Sequence, residues 1–324
     1  MTKPMRWGIL GASNFALRTM GPAIHAASGA QIVAVASRDT GKVAPFAEMA
    51  PGLRATDYDE MIEAEDIDAV YVPLPNHLHV PWGIAALEAG KHVLIEKPVG
   101  MDVGEVDRLI AARDAGGKHA AEAYMIAHHP QWTRAAALLA EGAIGEVVHV
   151  TSHFTYNNAA DPGNVRNLQG MGGGALRDIG VYAFGSVQMT MGTPLTDVSA
   201  QWAREGDVDL RTVVQGRLGR ATYAGYVSMR MAPSQGVTFH GTDGFMHLPS
   251  PFTPPAMADC RIELHRGADI AIERFSMARQ YVNQVEAFGA TARTGAPYVW
   301  TLEMARGTQE VLDNVMRVAE DIDP

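Results

Sequence analysis

Two patterns of apolar and polar positions divide the chain. Through about the first 125 residues, short apolar runs recur at 6–10, 31–36, 69–72, 91–98 and 120–124, with room for a helix between most of them. The run Lys91-His92-Val93-Leu94-Ile95-Glu96-Lys97-Pro98 enters from Gly90, stays apolar through Val93, Leu94 and Ile95, and ends on a proline. Continuous apolar runs of this length predict strands buried on both faces, as in a parallel sheet with helices on either side. Helices are predicted over 42–49, 81–88 and 105–115, the last opened by a capping box at Asp102 and Glu105. Strand and helix in alternation imply right-handed crossovers.

Beyond residue 125 the pattern changes. A helix over 130–141 is followed by strands over 146–155, 195–203, 210–218, 221–229, 236–240, 245–248, 261–265 and 270–275. Gly241-Thr242-Asp243-Gly244 marks a hairpin turn. Strands in succession without intervening helices predict a large, mostly antiparallel sheet, and such a sheet can bury one face and leave the other for a second subunit. Two helices, 280–293 and 302–318, close the chain. The expected fold is an α/β domain over 1–125 with a doubly wound parallel sheet, followed by an α+β domain over 126–324 for substrate binding and dimerisation.

Composition narrows the class. A chain of 324 residues that is 47% hydrophobic suits a globular protein of about two domains. No apolar run approaches the roughly 20 residues that span a bilayer. Met1-Thr2-Lys3-Pro4 leads into the first strand without a secretory signal pattern, and the single cysteine, Cys260, allows no intrachain disulfide. A reducing cytoplasm is the expected home. The net charge of -10, with no basic stripe, argues against a nucleic acid partner.

Candidate chemistry gathers at the predicted carboxyl ends of strands, where open α/β sheets bind ligands. The first strand runs into Gly11-Ala12-Ser13-Asn14-Phe15-Ala16, then a helical stretch and a second strand. This is the order of the Rossmann dinucleotide-binding unit, with Ser13 in place of the middle glycine of G-x-G-x-x-G/A. A serine there asks for a more distant phosphate or offers a hydroxyl to it. The second strand ends in Ser37-Arg38-Asp39. An arginine at this place accommodates a 2′-phosphate, so NADP is favoured over NAD, with Asp39 left to cap the next helix or to reach the ribose. After the strand at 69–72 comes Pro73-Leu74-Pro75-Asn76-His77-Leu78-His79. Two histidines on this loop lack the third ligand of a catalytic zinc site, and packing or capping is their expected role. Glu96 and Lys97 lie where cofactor and substrate would meet.

In the second half, Met171-Gly172-Gly173-Gly174-Ala175-Leu176-Arg177-Asp178-Ile179-Gly180-Val181-Tyr182 sets Asp178 and Tyr182 four apart, on one face of a helix. The glycines free the backbone for a close approach. Local pairing of Asp178 and core packing of Tyr182 are the plain alternative to catalysis.

Taken together, Gly11…Ala16, Ser37-Arg38, Pro75-Asn76-x-x-His79, Ala89-Gly90-Lys91-His92-Val93-Leu94-Ile95-Glu96-Lys97-Pro98 and Gly172-Gly173-Gly174-Ala175-Leu176-x-Asp178-x-Gly180-x-Tyr182 resemble the Gfo/Idh/MocA oxidoreductase family. Within it the chain is most similar to the branch of NADP-dependent D-xylose dehydrogenases and trans-1,2-dihydrodiol dehydrogenases. The resemblance runs over nearly the whole length. It implies hydride transfer between a nicotinamide and a secondary alcohol of a sugar or cyclic diol. It also implies that Lys97 contacts the reacting hydroxyl, that Asp178 positions substrate, and that Tyr182 is the proton donor or acceptor, where other members use histidine. Gly11, Ser13, Asn14, Ala16, Ser37, Arg38, Asn76, His79, Glu96 and Lys97 would hold the cofactor, and Asn164 and Arg166 match a polar substrate loop. In Met125-Ile126-Ala127-His128-His129-Pro130-Gln131, Ile126 and Ala127 stand where the family segment has tyrosine and arginine. A homodimer is implied as well.

Tyrosine ordinarily ionises near 10. An ammonium about 4 Å from a phenol is worth up to roughly 4 kcal/mol at an effective dielectric near 20, enough to lower that value by as much as about three. A lysine and tyrosine converging on one hydroxyl therefore suffice as an acid/base system without a metal. The alternative is a sensor that holds the dinucleotide without turning substrate over.

Overall fold

The computed structural model describes residues 3–253, 260–276 and 278–323. The chain divides into two units, Met1–His128 with Arg279–Ala305, and His129–Ala278 with Arg306–Pro324.

The first unit is built on six parallel strands: β1 (Met5–Leu10), β2 (Ala30–Ala36), β3 (Arg54–Thr56), β4 (Ala69–Val72), β5 (His92–Ile95) and β6 (Ala120–Glu122). Their order, β3-β2-β1-β4-β5-β6, is that of the Rossmann fold. Every residue of β4 is buried, and so are Val93, Leu94 and Ile95 of β5, as their unbroken apolar character requires. Helices α1 (Gly21–Ala26), α2 (Ala44–Met49), α3 (Tyr58–Glu63), α4 (His79–Glu88) and α5 (Val103–Gly116) fill the connections. Asp102 accepts from Glu105 N at 2.8 Å, the cap read from the sequence, while Glu105 accepts from Met101 N at 2.8 Å, one residue before the place a capping box uses.

The single cut after residue 125 misses one feature. The segment 279–305, carrying α8 (Gln280–Thr294), groups with the first unit. Aromatic packing accounts for this: Phe288 meets Trp7 at 5.1 Å, Trp300 stacks on Tyr124 at 4.0 Å, and Trp300 Nε1 donates to Glu122 at 2.8 Å. No local pattern in the chain signals a return to a sheet more than 150 residues back.

In the second unit, α6 (Pro130–Ala140) precedes β7 (Val147–Asn157), and α7 (Val181–Met191) precedes the remaining strands. These are β8 (Leu195–Glu205), β9 (Val208–Leu218), β10 (Ala221–Ser228), β11 (Arg230–Gly241), β12 (Phe245–Leu248), β13 (Cys260–Arg266), β14 (Asp269–Phe275) and β15 (Glu320–Asp321), which follows α9 (Leu302–Val318). The nine strands form one sheet, β14-β13-β12-β11-β7-β10-β9-β8-β15, mostly antiparallel, with β10 parallel to β7 and β15 parallel to β8. The hairpin at 241–244 falls between β11 and β12, with His240 opposite Phe245. Helices α6 and α7 pack on the sheet. Ile270, Ile272 and Val213 are exposed along it, in register with His265, Glu263 and Tyr226 respectively.

Candidate active site

The first unit's sheet reverses direction of growth between β1 and β4, so loops leaving their carboxyl ends flank a crevice. Gly11, at the exit of β1, has φ +127°, and a side chain there would press on the Leu74 side chain of the loop after β4. Glycine is needed for both reasons. Gly11 N donates to Ala36 O at 3.1 Å, tying the turn to the end of β2. Ser13 Oγ accepts from Ala16 N at 3.0 Å, which leaves its own hydroxyl hydrogen to donate. The helix that follows is not regular. Ala16–Met20 forms a π-helical turn before α1, which widens the coil just after Asn14 and Phe15.

At the exit of β2, Asp39 takes the capping alternative. Its backbone N donates to Ser37 Oγ at 3.1 Å and its carboxylate accepts from Gly41 N at 3.0 Å. Arg38 is exposed, and among the described residues it forms no ion pair.

The exit of β5 is crowded with polar groups. Glu96 accepts from the Tyr71 hydroxyl at 2.6 Å and from Lys97 N at 3.2 Å. The Lys97–Pro98 peptide bond is cis. His79 is buried, with Nδ1 at 2.7 Å from the Pro98 carbonyl and Nε2 at 2.7 Å from the Leu74 carbonyl. A neutral ring can donate to only one of these two acceptors. Burial nonetheless pushes the imidazole down to about 4, against the pull of both carbonyls, so the neutral ring is the state we assign. His79 thus spans the loops after β4 and β5 through their backbones, while Asn76 lies in a short 3₁₀ turn just before α4. Glu122, at the end of β6, is buried and was not singled out from the sequence. It accepts from Val99 N at 2.9 Å and from Trp300 Nε1 at 2.8 Å. Burial raises its carboxyl to about 7, despite both donors. Ile126 and Ala127 are buried in the turn Met125–His128.

In the second unit the triple glycine has a specific cause. Gly172 and Gly174 have φ +71° and +102°, a side chain on Gly173 would overlap the Arg166 carbonyl, and one on Gly174 would overlap the Asp209 carboxylate. The close approach brings Arg166 to Asp178, where Nε meets Oδ1 at 2.7 Å. Asn164 supports the loop by accepting from Arg166 N at 3.1 Å. The Tyr156 hydroxyl donates to the other oxygen of Asp178 at 2.7 Å. Tyr156 escaped the sequence reading, because nothing local marks one tyrosine in a strand as a carboxylate partner. Its phenol is held well above the ordinary value by burial and by the Asp178 charge.

The helix is not one regular α-helix, as the four-residue spacing of Asp178 and Tyr182 predicts. Leu176–Gly180 is a π-helical turn continued by α7. Its start is anchored by the buried Asp209, which accepts from Leu176 N at 2.8 Å and Thr212 Oγ1 at 3.0 Å. Burial pushes that carboxyl up to about 7. Tyr182 is 5% exposed and packs against Phe154 and Phe252, each at 5.9 Å between ring centres. Arg166 acts electrostatically on Tyr182 as well as on Asp178, and its guanidinium is held above its ordinary value chiefly by the Asp178 charge.

Residues 5–124 match the model of an oxidoreductase family with an NAD-binding Rossmann fold, and residues 132–247 match the GFO/IDH/MocA C-terminal domain. The chain belongs to the Gfo/Idh/MocA oxidoreductase family. It is 34% identical to a dTDP-3,4-didehydro-2,6-dideoxy-alpha-D-glucose 3-reductase of Actinomadura kijaniata, over 98% of this chain and 97% of that one. It is 30% identical to a D-xylose 1-dehydrogenase (NADP(+)) of Haloferax volcanii, over 98% and 96%. A crystal structure of a 3-ketoreductase from Actinomadura kijaniata with NADP and TDP-benzene superposes with a TM-score of 0.93 at 32% identity, covering 99% of this Gfo/Idh/MocA chain and 100% of the other. No helix among the described residues is long and apolar enough to cross a membrane.

Proposed function

We propose that this family member interconverts a secondary alcohol and a ketone on a sugar or cyclic diol, with NADP as the redox partner. The observation that carries the reading is Asp178, ion-paired to Arg166 and bonded by Tyr156, at the start of the helix that carries the phenol of Tyr182. Such a cluster suits a polyhydroxylated substrate, since a carboxylate, a guanidinium and hydroxyls together offer acceptors and donors to neighbouring sugar hydroxyls.

The first unit fits the cofactor. Gly11 keeps the turn after β1 free of a side chain, and Ser13 has a hydroxyl hydrogen to give to a phosphate. Arg38 is a guanidinium without an ion pair among the described residues, at the place where a 2′-phosphate is read, while the neighbouring carboxylate of Asp39 is engaged with Gly41 N. Asn14, Ala16 and Ser37 complete that wall; Asn76, His79 and Glu96 shape the loops beside the nicotinamide, His79 through the backbone it holds. When bound, the cofactor supplies or accepts hydride at its nicotinamide ring. Tyr182 gives its phenolic proton to the carbonyl oxygen in reduction and takes it back in oxidation. Lys97 donates a hydrogen bond to that oxygen and steadies the developing alkoxide. Asp178, Asn164 and Arg166 orient the sugar.

Support comes from relatives named as reductases and dehydrogenases, and solved structures of the Actinomadura reductase include variants with one lysine changed to alanine or glutamate and one tyrosine to phenylalanine. The sensor reading finds no such support. The test is absorbance at the reduced-nicotinamide band with a panel of pentoses, hexoses, cyclic diols and dTDP-linked ketosugars. Tyr182→Phe and Lys97→Ala should each lower turnover by about 100-fold or more while NADPH still binds. Near wild-type rates in both would reject the assignment.

The exposed Ile270, Ile272 and Val213, set among His265, Tyr226 and Phe245 on one side of the nine-stranded sheet, support a homodimer formed through that side. Light scattering should then give twice the chain mass of 34.7 kDa. A single-chain mass at micromolar concentration would remove the dimer.

A further inference from the structure

We propose that Glu122 is a positioning residue for Lys97: its carboxylate clamps the backbone just past Pro98, and its negative charge acts on the ammonium. The proposal rests on the reading above that Lys97 acts at the reacting oxygen. Glu122 is 3% exposed and reaches two donors, one on each oxygen, Val99 N at 2.9 Å and Trp300 Nε1 at 2.8 Å. The first of these holds the chain two residues beyond Lys97. The second ties β6 to the returning segment, where Trp300 lies flat on Tyr124.

Burying a carboxylate costs hydration that two hydrogen bonds only partly restore. The charge has a counterpart, however. Lys97 and Glu96, from the end of β5, both act on Glu122, Lys97 favouring its ionised form and Glu96 opposing it. Tyr124 faces Glu122 and Tyr281 faces Glu96, each with its phenol raised by burial and therefore neutral. Lys97 is thus a cation that acts on this carboxylate. Glutamine at 122 could accept from only one of the two donors and would turn an N–H toward the other. The turn after Pro98 would loosen and the ammonium would lose one negative charge that acts on it.

The test uses the full chain and a readout that needs no substrate. Lys3, Lys42, Lys91, Lys97 and Lys118 are the five lysines, so reductive ¹³C-methylation gives a spectrum in which Lys97 is assigned by its absence in Lys97→Ala. In the wild type the Lys97 signal should show an inflection near pH 7, where Glu122 titrates. Glu122→Gln should abolish that inflection and lower kcat about 10- to 100-fold with the Kd for NADPH within about twofold. Trp300→Phe, which removes one donor to the carboxylate, should move the inflection to higher pH, and it keeps the test alive should Glu122→Gln fold poorly. A featureless Lys97 titration in the wild type, an inflection that survives Glu122→Gln, or one unmoved by Trp300→Phe would overturn the proposal. Because the signal is read without turnover, these results stay distinct from a failure of the catalytic assignment, which full activity in Lys97→Ala would announce.

Discussion

Arg38 and Asp39 stand side by side at the end of β2 and differ in what already holds them. The Asp39 carboxylate accepts from Gly41 N through one oxygen, which ties it into the turn that leads toward α2. The Arg38 guanidinium has no ion pair among the described residues, and binding a 2′-phosphate costs it no existing bridge. A charge-assisted hydrogen bond contributes about 1.5–3 kcal/mol, so Arg38→Ala should weaken NADPH by roughly 10- to 100-fold and NADH by less than about twofold. Fluorescence titration with both nucleotides checks this, and equal weakening would take Arg38 away from the phosphate. The same contrast holds at Tyr182. Its neighbour in the fold is Arg166, which the sequence assigned only to substrate. Since Arg166 is bridged to Asp178, most of its field is offset locally.

Elements carry the residues into place, and here the chain was only partly legible. Strands β4 and β5 could be read because burial on both faces leaves unbroken apolar runs, and α5 could be read because its cap is local, Asp102 and Glu105 being three apart. The helix bearing Asp178 was legible in its existence and in its glycine entry. Its first turn was not: it is π-helical, and Asp209, which accepts from Leu176 N at its start, lies on a strand more than 30 residues later. The glycines announced a close approach but could not name the partner; the Arg166 carbonyl and the Asp209 carboxylate appear only once the sheet is formed. The return of 279–305 to the first unit was illegible for the same reason. Its aromatic residues, Phe288 and Trp300, look like ordinary helix and loop core until Trp7 and Glu122 are beside them. Tyr156 and Glu122 belong to this class too: partners set by long-range pairing leave no spacing signature.

Across the whole molecule, buried titratable groups set the pH range of stability. His79, His119, His128 and His129 are all pushed down to about 4, in each case chiefly by burial. A base depressed below its unfolded value of about 6.5 contributes stability that is full above that value and is lost as pH falls toward 4. Glu122 and Asp209, raised by burial to about 7, act oppositely: their contribution is full below the unfolded carboxyl values and lost as pH rises toward 7. The shifts are of similar size and the histidines are twice as many, so acidification from pH 6.5 to 4.5 should cost a net few kcal/mol, at about 1.4 kcal/mol for each pKa step. His119 gives the cleanest test. Its ring lies 4.6 Å from Phe288 and 4.9 Å from Tyr298, and its Nε2 is buried without a hydrogen-bond partner among the described residues. A phenylalanine there keeps the aromatic contacts and removes the proton. His119→Phe should therefore raise the midpoint of urea unfolding at pH 5 by more than at pH 8, and the acid limb of stability against pH should flatten. An equal change at both values would mean that the imidazole does not titrate with folding, and the acid limb would have to be sought in the other three histidines.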